Sequence, residues 1–209
     1  MAFDVQTATA WITAAQAAVK ADEARLTDLD AAIGDGDHGA NMARGLAAAS
    51  TNIAERAPST PGDVLVAAGR GIVAKTGGAS GPLYGSAFRR AGKALGDATA
   101  VEAAELGAAL EAALTAIKEL GGAAEGDKTM VDALAPAVAA FQAVAADGGP
   151  IAAAAGAAAD AAEQGLAATI PLQARKGRAS YLGPRSVGHE DPGAASTTLI
   201  LRALAEVTA

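Results

Sequence analysis

The sequence predicts an all-α fold in which eight helices form an up-and-down bundle. Hydrophobic residues make up 51% of the 209 residues but aromatic residues only 3%, and alanine is the most frequent type. Alanine favours helices and buries little area, so we expect many closely packed helices. No segment shows the alternation of apolar and polar residues that is typical of a strand. We expect residues 1–209 to form a single domain.

The first four helices are predicted from apolar spacing and from the residues at their ends. The first helix places Trp11 and Val19 near one face, and the second stops before Pro58. The third opens after Pro61, and the fourth follows a glycine-rich turn. These helices span residues 3–25, 41–56, 62–75 and 82–95.

The last four helices follow from the same signals. The fifth is amphipathic through Leu106 and Leu110, and Asp127 is the predicted N-cap of the sixth. Pro192 stands at the first position of the last helix, where a proline is well tolerated. These helices span residues 101–119, 127–146, 151–168 and 192–207.

The stretch DLDAAIGDGDHGAN, residues 28–41, combines carboxylates with glycines on one turn. Asp30, Asp35 and Asp37 offer the hard oxygen ligands that suit a divalent cation such as Mg²⁺. Without a cation these carboxylates would repel one another. The turn therefore predicts a metal site. A polar turn with a capping Asp before the second helix is the alternative.

Two familiar motifs do not explain this turn. Its glycines match G-x-G-x-x-G, but no strand precedes them, and Asp side chains at the variable positions would repel a phosphate. An EF-hand loop starting at Asp35 would need Asp or Asn where Gly39 stands and Glu where Leu46 stands. The remaining interpretation is that the carboxylates bind a metal ion, which in turn binds a phosphate.

A second glycine-rich turn, residues 76–86, reads TGGASGPLYGS. Ser80 and the neighbouring amides precede a helix, and a helix N-terminus presents N–H groups and a positive dipole end to an anion. The turn has no lysine of the kind that a Walker A loop requires. A turn that only lets two helices pack tightly remains an equal alternative.

The longest irregular stretch, residues 171–193, concentrates cationic side chains in an acidic protein. Long loops in compact domains are usually functional, and arginine can bind phosphate oxygens through two parallel hydrogen bonds. The alternative is a solvated basic loop. The cationic residues are Arg175, Lys176, Arg178 and Arg185.

In an up-and-down bundle, alternate turns lie at the same end. The turns after the first, third, fifth and seventh helices carry all the unusual chemistry, so the sequence predicts one functional end. These segments are 34–39, 77–81, 121–126 and 171–193.

Composition excludes several classes of function. Cysteine is absent, which rules out disulfides, thiolate metal sites and cysteine nucleophiles. The net charge of −7, without a basic stripe, argues against a nucleic-acid partner. The sequence shows no signal-peptide pattern and no uninterrupted apolar run of membrane-spanning length, so we expect a cytoplasmic protein.

Four motifs together resemble the nucleotide-binding L subunits of the dihydroxyacetone kinases. They are DAAIGDGDHGANM, GGASGPLYG, GDKTM and RKGRASYLGPRSVGHEDPGA, in the family's order and across essentially the whole chain. The resemblance implies an eight-helix antiparallel barrel with the nucleotide site at one end. It also implies two Mg²⁺ ions held by Asp30, Asp35 and Asp37. The nucleotide contacts that it implies are His38, Gly39, Ala40, Asn41, Ala79, Ser80, Gly121, Met130, Arg178, Asp191, Pro192 and Gly193.

The same resemblance implies a phosphotransferase that is half of an enzyme. Bound ADP would act as a coenzyme that a phosphohistidine protein recharges to ATP, and Arg178 would be a catalytic cation. The phosphoryl group would then pass to dihydroxyacetone held covalently on a separate K subunit, so a hetero-oligomer is expected. The alternative within the family is a kinase subunit that exchanges ATP, for dihydroxyacetone or for another small ketose such as erythrulose.

Two departures from the family pattern are visible. Pro184 stands where an acidic residue is expected, which should alter loop stiffness or partner contact. Gly122 and Ala123 stand where charged residues are common, which would weaken a partner interface. Two other classes of protein are alternatives: a non-catalytic nucleotide- or metal-binding module, and a purely structural helical protein, which would not need three Asp and a cationic loop at one end.

Overall fold

Most of the chain is helical, as its alanine-rich composition dictates. The computed structural model describes residues 2–209, and nine α-helices lie among them. A 3₁₀ segment, Arg178–Ser186, lies within the long loop. The α-helices are α1 Val5–Ala21, α2 Glu23–Ile33, α3 His38–Arg56, α4 Pro61–Lys75, α5 Ser80–Leu95, α6 Ala103–Gly121, α7 Met130–Ala146, α8 Ile151–Ala168 and α9 Pro192–Thr208.

Eight of these helices form a closed ring. From α4 onward each helix packs against the one before it, and α1 packs against both α3 and α9. Helices that are neighbours in the ring and joined by short connections run antiparallel. The predicted eight-helix antiparallel fold is confirmed, with the short helix α2 packed on α3 as an addition to the ring.

The predicted first helix, 3–25, was wrong at its end. Helix α1 ends at a cap on Asp22, and residues 28–33, which we expected to belong to the acidic turn, form part of helix α2. Leu26, Asp30 and Ile33 are buried at helical spacing, so α2 has an inward face. The acidic cluster is therefore anchored by a packed helix on its N-terminal side.

Helices α4 and α5 approach so closely that glycine is required between them. A Cβ atom on Gly69 would lie 2.6 Å from the Gly85 carbonyl oxygen, and one on Gly92 would lie 2.4 Å from the Gly62 carbonyl oxygen. Any side chain at these positions would force the helices apart. The contact fixes where α5 begins, and hence the position of the second glycine-rich turn.

A short antiparallel strand pair, which the sequence did not predict, ties the N-terminal residues to the α5–α6 connection. Phe3–Asp4 pairs with Ala100–Val101. Phe3 is fully buried, with its ring centroid 6.1 Å from that of Trp11, and Trp11 Nε1 donates to the Ile200 carbonyl at 2.8 Å. The pairing is only two residues long, so no period-two pattern could reveal it.

The N-cap of α7 also differs from the prediction. Thr129, rather than Asp127, caps the helix, and its side chain accepts from Val131 N at 3.1 Å. Asp132 completes a capping box by accepting from Thr129 N at 2.7 Å. The pattern Thr-x-x-Asp at residues 129–132 therefore indicates the start of α7 better than Asp127 does.

Within residues 2–209, no helix has both the length and the hydrophobicity that crossing a bilayer requires.

Candidate functional site

The four segments predicted to share one end of the bundle do meet there. Arg178 of the long loop contacts Asp35 of the acidic turn at 3.0 Å. The Arg175 amide donates to the Asp127 carbonyl at 3.0 Å, which joins the long loop to the α6–α7 connection. Ser80 Oγ, at the second glycine-rich turn, lies 3.2 Å from His38 Nδ1. These contacts bring the four segments together into a single site.

Three carboxylates form the acidic cluster, defined as Asp30, Asp35 and Asp37. Each offers an oxygen within 4.8 Å of those of the other two. Asp30, in the last turn of α2, is buried, and its Oδ2 accepts from Asp37 N at 2.9 Å and from His38 N at 3.1 Å. Asp35 and Asp37 are exposed. Asp30 thus fixes the turn, and the other two side chains face outward.

The acidic cluster fits a hard divalent cation. Its donors are all carboxylate oxygens, which suit Mg²⁺ or Ca²⁺, whereas imidazole and thiolate donors would favour zinc. Within the described residues, Arg178 is the side-chain cation that contacts a cluster carboxylate. One guanidinium offsets only part of the charge of three clustered acids, and a bound cation would relieve the rest.

Helix α3 begins with the residues that follow the acidic cluster. His38 is 7% exposed, and its ring nitrogens contact Ser80 and Ser196. Burial lowers the pKa of His38, although the carboxylates of Asp30 and Asp37 oppose the shift. Gly39 is buried against the Glu23 carbonyl oxygen, where a Cβ would lie 2.1 Å away, and Ala40 is exposed.

Arg44 joins two parts of the site, a role that no pattern in the sequence indicates. Its guanidinium donates to Asn41 Oδ1 and, through Nε, to the Lys75 carbonyl at 2.8 Å. Asn41 is buried, and its amide lies beside Gly77, where a Cβ would come within 2.8 Å of Asn41 Oδ1. The start of α3 is thereby joined to the second glycine-rich turn.

Helix α5 begins without a side-chain cap. Ala79, at the N-cap position, is exposed and has no hydrogen-bonding side chain. Gly78 has φ +62°, a conformation that glycine adopts without strain. An uncapped helix start leaves N–H groups to water or to a ligand, next to the positive end of the helix dipole. Ser80 is the first residue of this helix.

Helices α7 and α9 begin side by side. A Cβ on Gly193 would lie 3.4 Å from Cβ of Met130, the buried first residue of α7. Asp191 is the buried N-cap of α9, and its Oδ2 accepts from Ala194 N at 2.7 Å. Burial raises the pKa of Asp191 to about 7. Pro192 is also buried, so it and Asp191 support the helix start.

The remaining predicted contact, Gly121, is the exposed last residue of α6. A Cβ there would lie 3.3 Å from Leu83 Cδ2 on α5. The predicted site residues therefore all lie at helix ends or in the turns between them. Six helices end at this site. Four of them contribute their N-termini, namely α3, α5, α7 and α9, and two contribute their C-termini, namely α2 and α6.

Lys128 is a site-forming residue whose role the sequence did not reveal. It is 1% exposed, adopts φ +61°, and its Nζ donates to the Thr169 carbonyl at 2.7 Å and to the His189 carbonyl. Burial lowers its pKa, while Asp191 and Asp132 oppose the shift. Lys128 thus anchors both ends of the long loop. The lysine stands in the GDKTM turn, but nothing in that turn indicates which carbonyl groups it contacts.

Comparisons with known proteins agree with this geometry. The DAK2 domain family matches residues 32–206. The ADP-binding subunit of PEP-dependent dihydroxyacetone kinase 1 from Listeria innocua is 42% identical over 98% of this chain and 97% of its own length. A D-erythrulose kinase of Mycolicibacterium smegmatis is 40% identical over 92% of this chain, which spans 33% of that protein.

A solved structure shows the same fold. The dihydroxyacetone kinase of C. freundii, in complex with AMP-PNP and Mg²⁺, matches with a TM-score of 0.72 at 27% identity. The match covers 99% of this chain and 34% of that one, so the chain corresponds to about a third of that enzyme. The chain therefore belongs to the DAK2 domain family.

Proposed function

We propose that this chain, acting as one domain, is the ADP-binding subunit of a phosphoenolpyruvate-dependent dihydroxyacetone kinase. A phosphohistidine protein recharges the bound ADP to ATP, and ATP then phosphorylates dihydroxyacetone held on a separate K subunit in the cytoplasm. The likeness to the Listeria subunit over nearly the full length of both chains supports this assignment.

One structural observation carries the proposal. The acidic cluster and the cationic loop contact each other through Asp35 and Arg178 at 3.0 Å. A metal-bound phosphate needs carboxylates for the cation and cationic donors for its oxygens, side by side. Helix N-termini around the same place add dipoles that favour an anion.

We assign the metal to the acidic cluster. Asp30, Asp35 and Asp37 would hold two Mg²⁺ ions, and the AMP-PNP and Mg²⁺ in the C. freundii complex support the class of ligand. When bound, Mg²⁺ offsets the negative charge of phosphate oxygens. Asp30 has a second task, because its hydrogen bonds to two amides hold the turn that carries the other two acids.

The nucleotide would lie against the helix ends beside the acidic cluster. Arg178 is assigned the catalytic role: its guanidinium, 70% exposed, can donate to oxygens of the transferred phosphoryl group. The Ser80 turn holds phosphate oxygens through backbone and hydroxyl donors. The other proposed contacts are His38, Gly39, Ala40, Asn41, Ala79, Gly121, Met130, Asp191, Pro192 and Gly193.

The histidines of the chain support a requirement for a ketose-binding partner. The chain has two histidines. Both ring nitrogens of His38 contact hydroxyl groups inside the protein, and the carbonyl of His189 accepts from the buried Lys128 while its side chain is exposed. Neither ring nitrogen of His38 is free for covalent attachment of a ketone, and His189 lies in the segment assigned to the nucleotide, so the substrate is assigned to the K subunit. An erythrulose kinase subunit is less favoured, because this chain spans a third of that relative and nearly all of the Listeria subunit.

The experiment that tests this function identifies what the protein retains. The chain is purified through gel filtration in Mg²⁺ buffer and denatured, and the released nucleotide is quantified. We expect about one ADP per chain. A protein that is free of nucleotide, and that also fails to bind added ADP in Mg²⁺ by calorimetry, would contradict the proposal. Fast exchange of the bound nucleotide with labelled ATP would favour the ATP-exchanging alternative.

A further inference from the structure

Five side chains form a hydrogen-bonded chain that runs inward from the start of α5. Ser80 Oγ lies 3.2 Å from His38 Nδ1, and Ser196 Oγ lies 2.8 Å from His38 Nε2. Tyr84 OH lies 2.7 Å from Ser196 Oγ and 2.7 Å from Thr197 Oγ1. Each hydroxyl has one proton to donate, and so has the ring in its uncharged form. The protons can therefore be arranged in two directions along the chain.

In the first arrangement every proton stays inside the protein. Ser80 donates to Nδ1, and the ring donates from Nε2 to Ser196. Ser196 then donates to Tyr84, and Tyr84 donates to the Gly193 carbonyl at 3.0 Å. Thr197 donates to Tyr84. This arrangement makes five internal hydrogen bonds, so we expect it when no ligand is bound.

In the second arrangement the ring donates in the opposite sense. Nδ1–H donates to Ser80, and Nε2 accepts from Ser196, while Tyr84 continues to donate to Gly193. The Ser80 hydroxyl no longer donates to the ring, and its hydrogen can point out of the protein. The bonds of the ring to Ser80 and to Ser196 are kept with their directions reversed, and one internal bond, from Ser196 to Tyr84, is given up. A hydroxyl that donates to an anionic phosphate oxygen makes a charge-assisted bond, which is stronger than a neutral one.

We propose that His38 is a positioning residue that sets the direction of the Ser80 hydroxyl. Binding of a phosphate beside Ser80 changes the neutral ring from the Nε2–H to the Nδ1–H tautomer. The ring gains a proton at Nδ1 and releases one from Nε2 by exchange with water, and each hydroxyl keeps its own proton and rotates. The charge of the ring is the same before and after. This inference rests on the proposed function, because it requires a phosphate at the start of α5.

The two tautomers can be distinguished by ¹⁵N NMR, since a ring nitrogen that bears hydrogen and one that does not differ widely in chemical shift. The chain has two histidines, and His189 is exposed, so a His189→Gln protein gives the spectrum of His38 alone. We expect Nε2–H without ligand, with Mg²⁺ alone and with adenosine. Saturating ADP with Mg²⁺ should give Nδ1–H.

A variant tests whether Ser80 carries the effect. Ser80→Ala should keep the Nε2–H tautomer when ADP is bound and should weaken ADP binding by about tenfold or more, as expected for loss of a hydrogen bond to a charged group. Ser80→Thr should restore both. A wild-type His38 that stays Nε2–H while calorimetry shows ADP bound would overturn the inference and leave the proposed function standing. A failure of ADP to bind would overturn both.

Discussion

Arg178 Nε lies 3.0 Å from Asp35 Oδ2, which joins the cationic loop to the acidic cluster. The arginine side chain is 70% exposed and the carboxylate 37%, so water screens the pair. Ion pairs this exposed contribute little to the free energy of unfolding. The contact therefore does little for the fold, and it leaves the guanidinium exposed beside the acidic cluster, where it can meet a ligand phosphate.

Arg178→Lys should lower turnover by more than it lowers stability. Lysine keeps the charge but loses the two parallel hydrogen bonds that a guanidinium makes to phosphate oxygens. The free energy of unfolding should change by less than about 0.5 kcal/mol, as for most exposed positions. Turnover is measured in the reconstituted complex at saturating nucleotide. Arg185→Lys, exposed in the same loop, is the matched control, and equal turnover by the two variants would remove Arg178 from the catalytic set.

Asp35→Asn and Asp37→Asn should each abolish Mg²⁺-dependent nucleotide binding while the far-UV circular dichroism stays unchanged. Both side chains are exposed, so the fold does not need their charge, whereas a hard cation does. Binding is measured by calorimetry with and without Mg²⁺. Asp28→Asn, an exposed acid on α2, is the control and should bind as the wild type does. Wild-type binding by both cluster variants would place the metal elsewhere.

ADP with Mg²⁺ should stabilise the folded protein. A ligand that binds only the folded state adds RT ln(1 + [L]/Kd), about 2.7 kcal/mol at a hundredfold excess over Kd. The repulsion within the acidic cluster predicts that the stabilisation needs the cation. Thermal unfolding is followed with ADP in Mg²⁺ and with ADP in EDTA. Equal midpoints in the two solutions would argue against a metal-bridged nucleotide.

The sequence predicted the ring of helices well because each repeats the same signals. Apolar spacing and end residues fixed α8 at its observed bounds and α9 to within one residue. Helix α2 was missed because its acids looked like part of the turn, although Leu26, Asp30 and Ile33 have helical spacing. A strong functional motif obscured a structural pattern in the same residues.

The candidate site was predictable where its chemistry is dense along the chain. The acidic cluster could be predicted as a metal site because Asp30, Asp35 and Asp37 are close in sequence. The roles of Lys128 and Arg44 could not be predicted, because only the fold brings them near their partners. These partners are backbone carbonyls, that of Thr169 for Lys128 and that of Lys75 for Arg44. Contacts to distant backbone atoms leave no pattern in the sequence.

Lys128→Met should loosen the long loop. Its ammonium group donates to the Thr169 and His189 carbonyls, and hydrogen bonds to charged groups contribute about 1.5–3 kcal/mol each. Burial of the charge offsets part of this, so we expect a net loss of about 1–3 kcal/mol in urea unfolding, within the usual range for such changes. Proteolysis within residues 171–188 should be faster. Lys93→Met, exposed on α5, should change neither measurement; a wild-type cleavage rate for Lys128→Met would show that other contacts hold the loop.

Asp191 should make the ligand-free protein less stable as the pH rises from about 4 to about 7. Burial raises the pKa of this carboxyl from 3.8 to about 7, with Asp132 adding to the shift and Lys128 and the amides of the α9 start opposing it. Between these values the folded state holds a proton that the unfolded state has released. The linkage relation then requires that the free energy of unfolding fall with rising pH.

Asp191→Asn isolates this effect, because asparagine keeps an oxygen that can cap α9 and cannot ionise. The variant should lose less stability than the wild type between pH 5 and pH 8 in urea unfolding, and the two curves should become parallel above pH 8. Lys128 is the nearby cation, and its own pKa is lowered, so the double variant Asp191→Asn, Lys128→Met checks that the slope belongs to the carboxyl. Parallel curves for wild type and Asp191→Asn across the whole range would mean that Asp191 is ionised in the folded protein, held as a carboxylate by Lys128 and the helix amides.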